Sequence, residues 1–343
     1  TADDVVYSLK RSADPNRSTF AANFAAIDNV EKVDDYTVRI TLKYPDANFL
    51  GIVSNYHAGN IVSKKAAEEL GAKFASNPVG TGPFKFAEHV TQQHVKLVAH
   101  KDYFRGTPKI DTIMYRMIPS DSARELAFTS GELDVMYGKR EQRWVNTARR
   151  RGNMIVDIFR PGEFRTLHLN RSIAPLDDVR VRKAIAHAVN VDEIVRYVGQ
   201  DVGPKGCSVV PPGYLGEDCS AGTYEYNPEK AKALLAEAGH GDGLVVKAVV
   251  SNISAQLPIM EIVQSQLAKV GIKLEMNVVD HPTYQSQIRK NASAIVFYGA
   301  ARFPIADTYL TEFYHSNSIV GKPTAITNFS HCSVADAEID AAR

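Results

Sequence analysis

An α/β protein of two domains is what this sequence predicts, on three observations. The chain has 343 residues, more than one ordinary hydrophobic core organises. Its second half alternates strand-like and helix-like segments with short links, the pattern of a sheet covered by helices. Its first half carries alternating, hairpin-like strands and a single strand–helix–strand unit.

The elements follow in chain order. Thr1 and Asp4 have the spacing of a capping box ahead of a helix over 3–12, and Asp4 suits the positive helix end. The turn Asp34-Asp35 precedes a strand in which Tyr36, Val38, Ile40 and Leu42 alternate. Turn-formers crowd Asn77-Pro78-Val79-Gly80-Thr81-Gly82-Pro83, and a strand pattern begins at Phe84. Further strands are expected over 94–99 and 110–118. A strand over 112–118, a helix over 122–130 and a strand over 133–137 form a crossover unit, with Gly131 at the helix C′ position.

After a strand over 164–170 the character changes to longer helices, which places the domain boundary at 165–170. One helix is expected over 179–198, with Val181, Ile185, Ala188, Val195 and Val198 on one face. The next begins with Asn227 as N-cap, Pro228 at N1 and Glu229 in the first turn, and Gly239 stops it. Strands over 244–250, 272–279 and 294–298 then alternate with helices over 258–270 and 283–290. Met260, Val263, Leu267 and Val270 form the buried stripe of the first of these helices, and Gly271 ends it. The chain opens abruptly on a helical turn and closes on a helix cut short at 336–343, so it reads as an internal fragment, and the absence of a signal segment says nothing about export.

Composition excludes several classes. Forty Lys+Arg against 39 Asp+Glu leave a formal charge of +1 and no basic stripe for nucleic acid. The trio Arg149-Arg150-Arg151 reads as a solvated helix end. No apolar run approaches the roughly 18 residues of a membrane span. Cys207 and Cys219 flank a Pro/Gly-rich loop, where they form either a disulfide in an oxidising compartment or two free thiols. Zinc spacing is absent.

Catalytic motifs are also missing: no G-x-S-x-G elbow, H-E-x-x-H, P-loop or C-x-x-C occurs. Gly80-Thr81-Gly82 runs into Pro83 and a strand, so it is a rigid turn rather than a dinucleotide fingerprint. The histidines are scattered without metal-ligand spacing, and the paired carboxylates Asp3-Asp4, Asp34-Asp35 and Asp177-Asp178 sit where caps and turns use them. No cofactor, metal or catalytic residue is therefore expected, and the chain is expected not to be an enzyme. The segment Tyr298-Gly299-Ala300-Ala301-Arg302-Phe303-Pro304-Ile305-Ala306-Asp307 follows the C-terminal end of a buried strand, where open α/β sheets bind ligands. Either it faces a ligand or it is a loop with a solvent-facing Arg.

Several stretches, in order, resemble the extracellular solute-binding proteins of the peptide/nickel class (family 5). They are Thr1-Ala2-Asp3-Asp4-Val5-Val6-Tyr7-Ser8-Leu9, the run from Asn77 to Phe86, Ser130-Gly131-Glu132-Leu133-Asp134, the run from Pro175 to Asn190, the helix from Tyr226 to Gly239, and Asp307 onward into Phe313-Tyr314-His315-Ser316. The resemblance implies a two-lobed periplasmic-binding-protein-like fold of class II type. Residues 1–78 would be part of a small accessory lobe, 79–165 part of the first ligand-binding lobe, and 166–343 a second lobe without its C-terminal part. It further implies a monomer outside the cytoplasmic membrane that closes on a small molecule or oligopeptide. That ligand would pass to an ABC permease or, as the alternative, to a sensor. Arg302, Phe303, Tyr298 and Asn170 from one lobe and Tyr137 and Trp144 from the other are the expected ligand-binding residues. Peptide binders of the family look like Ala-Asp-Tyr where this chain has Ala301-Arg302-Phe303. The reversed charge suits a carboxylate, phosphate or carbonyl, not a peptide ammonium.

Overall fold

A computed structural model describes residues 1–343 except 19, 47, 56–58, 153, 160–162, 303–305, 323–326 and 343. The chain divides into two compact units, Thr1–Gly138 and Lys139–Arg343.

In the first unit the helix α1 (Ala2–Ala13) starts with the capping box expected from Thr1 and Asp4. Leu9 on its inner face packs with Phe24 and Val30 over the antiparallel pair β1 (Ile27–Lys32) and β2 (Val38–Leu42). The short helices α2 (Phe49–Ser54) and α3 (Lys64–Leu70) follow, the latter capped by Ser63 Oγ, which accepts from the Ala66 amide. An antiparallel sheet then runs in the order β3 (Phe84–Val90), β4 (His94–Ala99), β5 (Thr112–Arg116). The helix α4 (Asp121–Thr129), capped by Ser120, ends with Gly131 at φ 83°, the left-handed geometry anticipated there.

The strand expected over 133–137 does not form, so the crossover unit is not completed. The amides of Glu132 and Leu133 both return to the Ala127 carbonyl, closing the helix end in place of a ladder. The Tyr137 carbonyl accepts from Arg124 Nε, and Val135 is exposed.

The second unit opens with α5 (Gln142–Arg151), which ends in the trio Arg149-Arg150-Arg151 and Gly152 in the left-handed region. β6 (Phe164–Leu169) pairs antiparallel with β9 (Ile295–Ala300), in a register that sets Arg165 opposite Gly299. β7 (Leu244–Ser251) and β8 (Ile272–Val279) pair in parallel. The helix α9 (Leu257–Ala268) joins them, the crossover that a parallel pair requires. The Ala294 amide donates to the Lys247 carbonyl and the Val249 amide donates to Ser293 Oγ, which tie β7 to the start of β9. The helices α8 (Pro228–Glu237) and α10 (His281–Arg289) begin at the side-chain caps Asn227 and Asp280. Downstream of β9 lie α11 (Ala306–Tyr314) and α12 (Asp336–Ala341).

The core of this unit gathers Val181, Ala184 and Ile185 with Met260, Val263, Leu267, Ile272 and Ile295. Val263 and Leu267 are fully buried, each worth about 1.5–3 kcal/mol of transfer free energy. The single helix expected over 179–198 is instead two, α6 (Val179–Ala188) and α7 (Val191–Val198). The break falls at Asn190, whose side chain accepts from the Glu193 amide and so restarts the helix as an N-cap. Buried Gln266 reinforces the break, accepting from the Asn190 amide and donating to its carbonyl. Asn190→Ala is expected to lower stability by about 1 kcal/mol, the usual value of such a cap, measured by urea unfolding.

Candidate functional site

Tyrosine hydroxyls engage backbone carbonyls along the end of β9 and at Arg302. Tyr284 Oη donates to the Phe297 carbonyl, Tyr309 Oη to the Ala300 carbonyl and Tyr214 Oη to the Arg302 carbonyl, at 2.6, 2.7 and 3.1 Å. Tyr284 and Tyr309 are fully buried, which holds their phenols in the protonated, donating form well above the ordinary range. Gly299 is needed for close approach: a Cβ there would lie 2.4 Å from Arg165 Cγ in the opposed strand.

Aromatic rings form a continuous floor beneath this segment. Tyr309 stacks on Phe313 at 5.6 Å between centroids, and Tyr214 meets Tyr309 edge-on at 5.4 Å. His168 of β6 stacks on the same Phe313 and meets Phe329 edge-on, while Tyr298 packs against Phe329 at 4.9 Å. His168 is buried, and desolvation pushes its pKa down to about 4, so it is a neutral, structural imidazole bonded to Thr166 Oγ1.

Arg302 lies over the Phe313 ring, 5.6 Å from its centroid, and its side chain is only 8% exposed. It is not a solvent-facing Arg. Nε donates to Glu312 Oε2, and Nη1 donates to the Ala301 carbonyl at 3.1 Å. Burial by itself would lower the guanidinium pKa; the Glu312 carboxylate, with a smaller contribution from Tyr298, more than offsets this, and Arg302 stays charged. Glu312 is the residue that sequence reasoning passed over. Its signal was an acidic position beside Tyr309 and Phe313 on the buried face of α11.

The remaining expected site residues are dispersed. Tyr298 is half-buried on β9, and its ring packs against Phe329 and against Phe313, the ring under Arg302. Asn170, at the end of β6, is fully buried and bonded within its own unit: Nδ2 donates to Asn291 Oδ1, and Oδ1 accepts from Ser172 N and Oγ. Phe303 lies outside the described residues. Trp144, grouped with Tyr137 in the sequence reading, lies on α5 in the other compact unit. There Gln142 accepts from the Asp201 amide and donates to the Asp201 carboxylate, holding α5 to the loop that follows α7. Tyr137 belongs to the first unit and is exposed.

Cys207 and Cys219 form a disulfide, which settles the choice the sequence left open. Their sulfurs and the Glu217 carboxylate lie within 4.8 Å of one another, but a disulfide offers no thiolate to a metal. No helix of the described residues is long and apolar enough to cross a membrane.

Comparison with known proteins gives this geometry its context. A periplasmic binding protein, MoaA from A. tumefaciens R10, solved in complex with mannopinic acid, is 46% identical over all of this chain and 69% of its own, with a TM-score of 0.95. DppA from Helicobacter pylori, an ABC transporter-associated periplasmic binding protein solved in complex with the peptide STSA, is 27% identical over 99% of this chain and 69% of its own, with a TM-score of 0.83. Heme-binding protein A of Haemophilus influenzae is 30% identical over 93% of this chain and 62% of its own length. This chain spans about three fifths of the length of such curated relatives. Residues 1–320 match the middle region of the bacterial extracellular solute-binding proteins, family 5, and it is to this family that the chain belongs.

Proposed function

We propose that this chain is the greater part of an extracytoplasmic substrate-binding protein of an ABC importer, a binder rather than an enzyme, whose ligand is a small carboxylate-bearing molecule of the mannopinic acid type. The observation that carries this reading is the 46% identity, over the whole chain, to a protein solved with mannopinic acid. The charge of Arg302 supports it. A guanidinium carries five N–H groups in a planar fork, more than Glu312, Tyr298 and the Ala301 carbonyl together engage, and a carboxylate matches that fork.

In this proposal Arg302 anchors the ligand carboxylate, and Tyr298 and Phe303 pack its carbon skeleton. Trp144 and Tyr137 are the further ligand contacts proposed, and capture is by hinge closure of the lobes proposed over 1–78 with 79–165 and over 166–343. Asn170 holds the end of β6. Closure is favoured only by the difference between the ligand's affinities for the open and closed forms. The proposed partner is the membrane permease that receives the cargo.

Isothermal titration of the full-length protein with mannopinic acid, a tripeptide and heme tests the ligand class. Mannopinic acid is expected to bind at least tenfold more tightly than either of the others. Saturable binding of the peptide or heme with no heat from mannopinic acid would overturn the carboxylate reading.

A further inference from the structure

We propose that the loop closed by the Cys207–Cys219 disulfide is a positioning element for the ligand anchor, with Tyr214 as its contact residue. The proposal rests on the reading that Arg302 faces the ligand.

The chain between β9 and α11 has no ladder of its own at Ala301 and Arg302. The disulfide loop supplies what a strand partner would. Tyr214 Oη donates to the Arg302 carbonyl at 3.1 Å, and the Ala306 amide donates to the Leu215 carbonyl at 2.9 Å. The two bonds come from adjacent residues of the loop, one to the anchor residue itself and the other at the start of α11. Between loop and helix the fit is tight: Gly216 has φ 94°, and a Cβ on it would lie 2.5 Å from Ala306 Cβ. Only a glycine meets both conditions.

The loop is also braced internally, so it can act as a fixed support. The disulfide closes it over a sequence separation of 12. Inside, Glu217 Oε2 accepts from the Gly213 amide at 2.8 Å and Ser208 Oγ accepts from the Val210 amide at 3.2 Å. Its inner face is apolar: Val210 and Tyr214 are buried with Ala300, Tyr309 and Phe313. Phe313 is also the ring beneath the Arg302 guanidinium, so the loop supports the anchor through its backbone and through the floor under its side chain. Tyr214 has no call on the ligand in this arrangement, because its hydroxyl is engaged by the Arg302 carbonyl. It acts through Arg302.

The test compares wild-type full-length protein with Tyr214→Phe, which keeps the ring and removes the hydroxyl, and with Cys207→Ser/Cys219→Ser, which opens the loop. Amide hydrogen exchange is followed over 300–311, with β7 and β8 as internal references, and mannopinic acid affinity is measured in parallel. Both variants are expected to exchange faster over 300–311 at unchanged rates in β7 and β8. Tyr214→Phe is expected to weaken mannopinic acid about 3- to 10-fold, the range set by one hydrogen bond. Unchanged exchange over 300–311 in Tyr214→Phe overturns the inference. So does unchanged affinity in a variant whose exchange has risen, since the loop would then tether the segment without positioning the anchor. If the wild-type protein does not bind mannopinic acid, the ligand reading and the positioning role that rests on it both fail, whereas unchanged exchange in Tyr214→Phe with wild-type binding intact overturns the loop's role alone. Should the double serine variant fail to fold, Tyr214→Phe decides it alone.

Discussion

Arg302→Met is expected to lower folding stability by about 3–5 kcal/mol, whereas Arg302→Met combined with Glu312→Leu is expected to come within about 1 kcal/mol of wild type. The reason is desolvation. Arg302 and Glu312 are 8% and 3% exposed, so each charge has exchanged water for the other. Removing Arg302 leaves a buried carboxylate with its main counter-charge gone. Removing both leaves an apolar volume, and well-packed apolar replacements of buried ion pairs are often neutral or stabilising. Urea unfolding of the two single variants and the double variant closes the cycle and isolates the coupling. A single variant within 1 kcal/mol of wild type would show that the pair is screened and contributes little. The same set separates stability from recognition. The double variant is expected to be folded yet to have lost its affinity for mannopinic acid, because the cation has gone while the floor remains.

The second large effect is a pH dependence set by His168. Its folded pKa, about 4, lies below the ordinary value of 6.5 because burial between Phe313 and Phe329 disfavours the imidazolium. Between those two values the unfolded chain binds a proton that the folded protein does not. The contribution is fully present above pH 6.5 and is lost as the pH falls toward 4. At about 1.4 kcal/mol per unit, the loss over that interval is about 3 kcal/mol. Urea unfolding of wild type and His168→Gln at pH 7, 5.5 and 4.5 checks it. Glutamine keeps a polar partner for Thr166 Oγ1 and does not titrate, so the difference between the two proteins removes the carboxylate contributions they share. Parallel stability–pH curves would show that His168 is solvated in the folded state. His331, also shifted down by burial, contributes to both proteins alike.

Much of the local structure was legible because it is local. The apolar stripe Met260, Val263, Leu267 declares a helix by its spacing, Asn227-Pro228 declares a helix start, and Gly131 and Gly271 occur where only a left-handed residue continues the chain; all are as the sequence implies. Arg302 too stood out, as a cation in a segment that follows a buried strand. The failures have a common cause. The run 133–137 has strand-like residues but no ladder to join, and Asn190 is acceptable within a helix until Gln266, far along the chain, engages its backbone.

The sequence by itself determined the α/β class, the positions of most caps and turns, the family and the charge at the proposed anchor, because each depends on neighbours within a few residues or on an ordered set of short patterns. Only the tertiary structure decided that β6 lies antiparallel to β9, that Glu312 is the counter-ion of Arg302, and that Tyr214 on a disulfide loop grips the Arg302 carbonyl. Those pairings are chosen by which groups share a desolvated space, and burial brings together residues that the order of the chain leaves far apart.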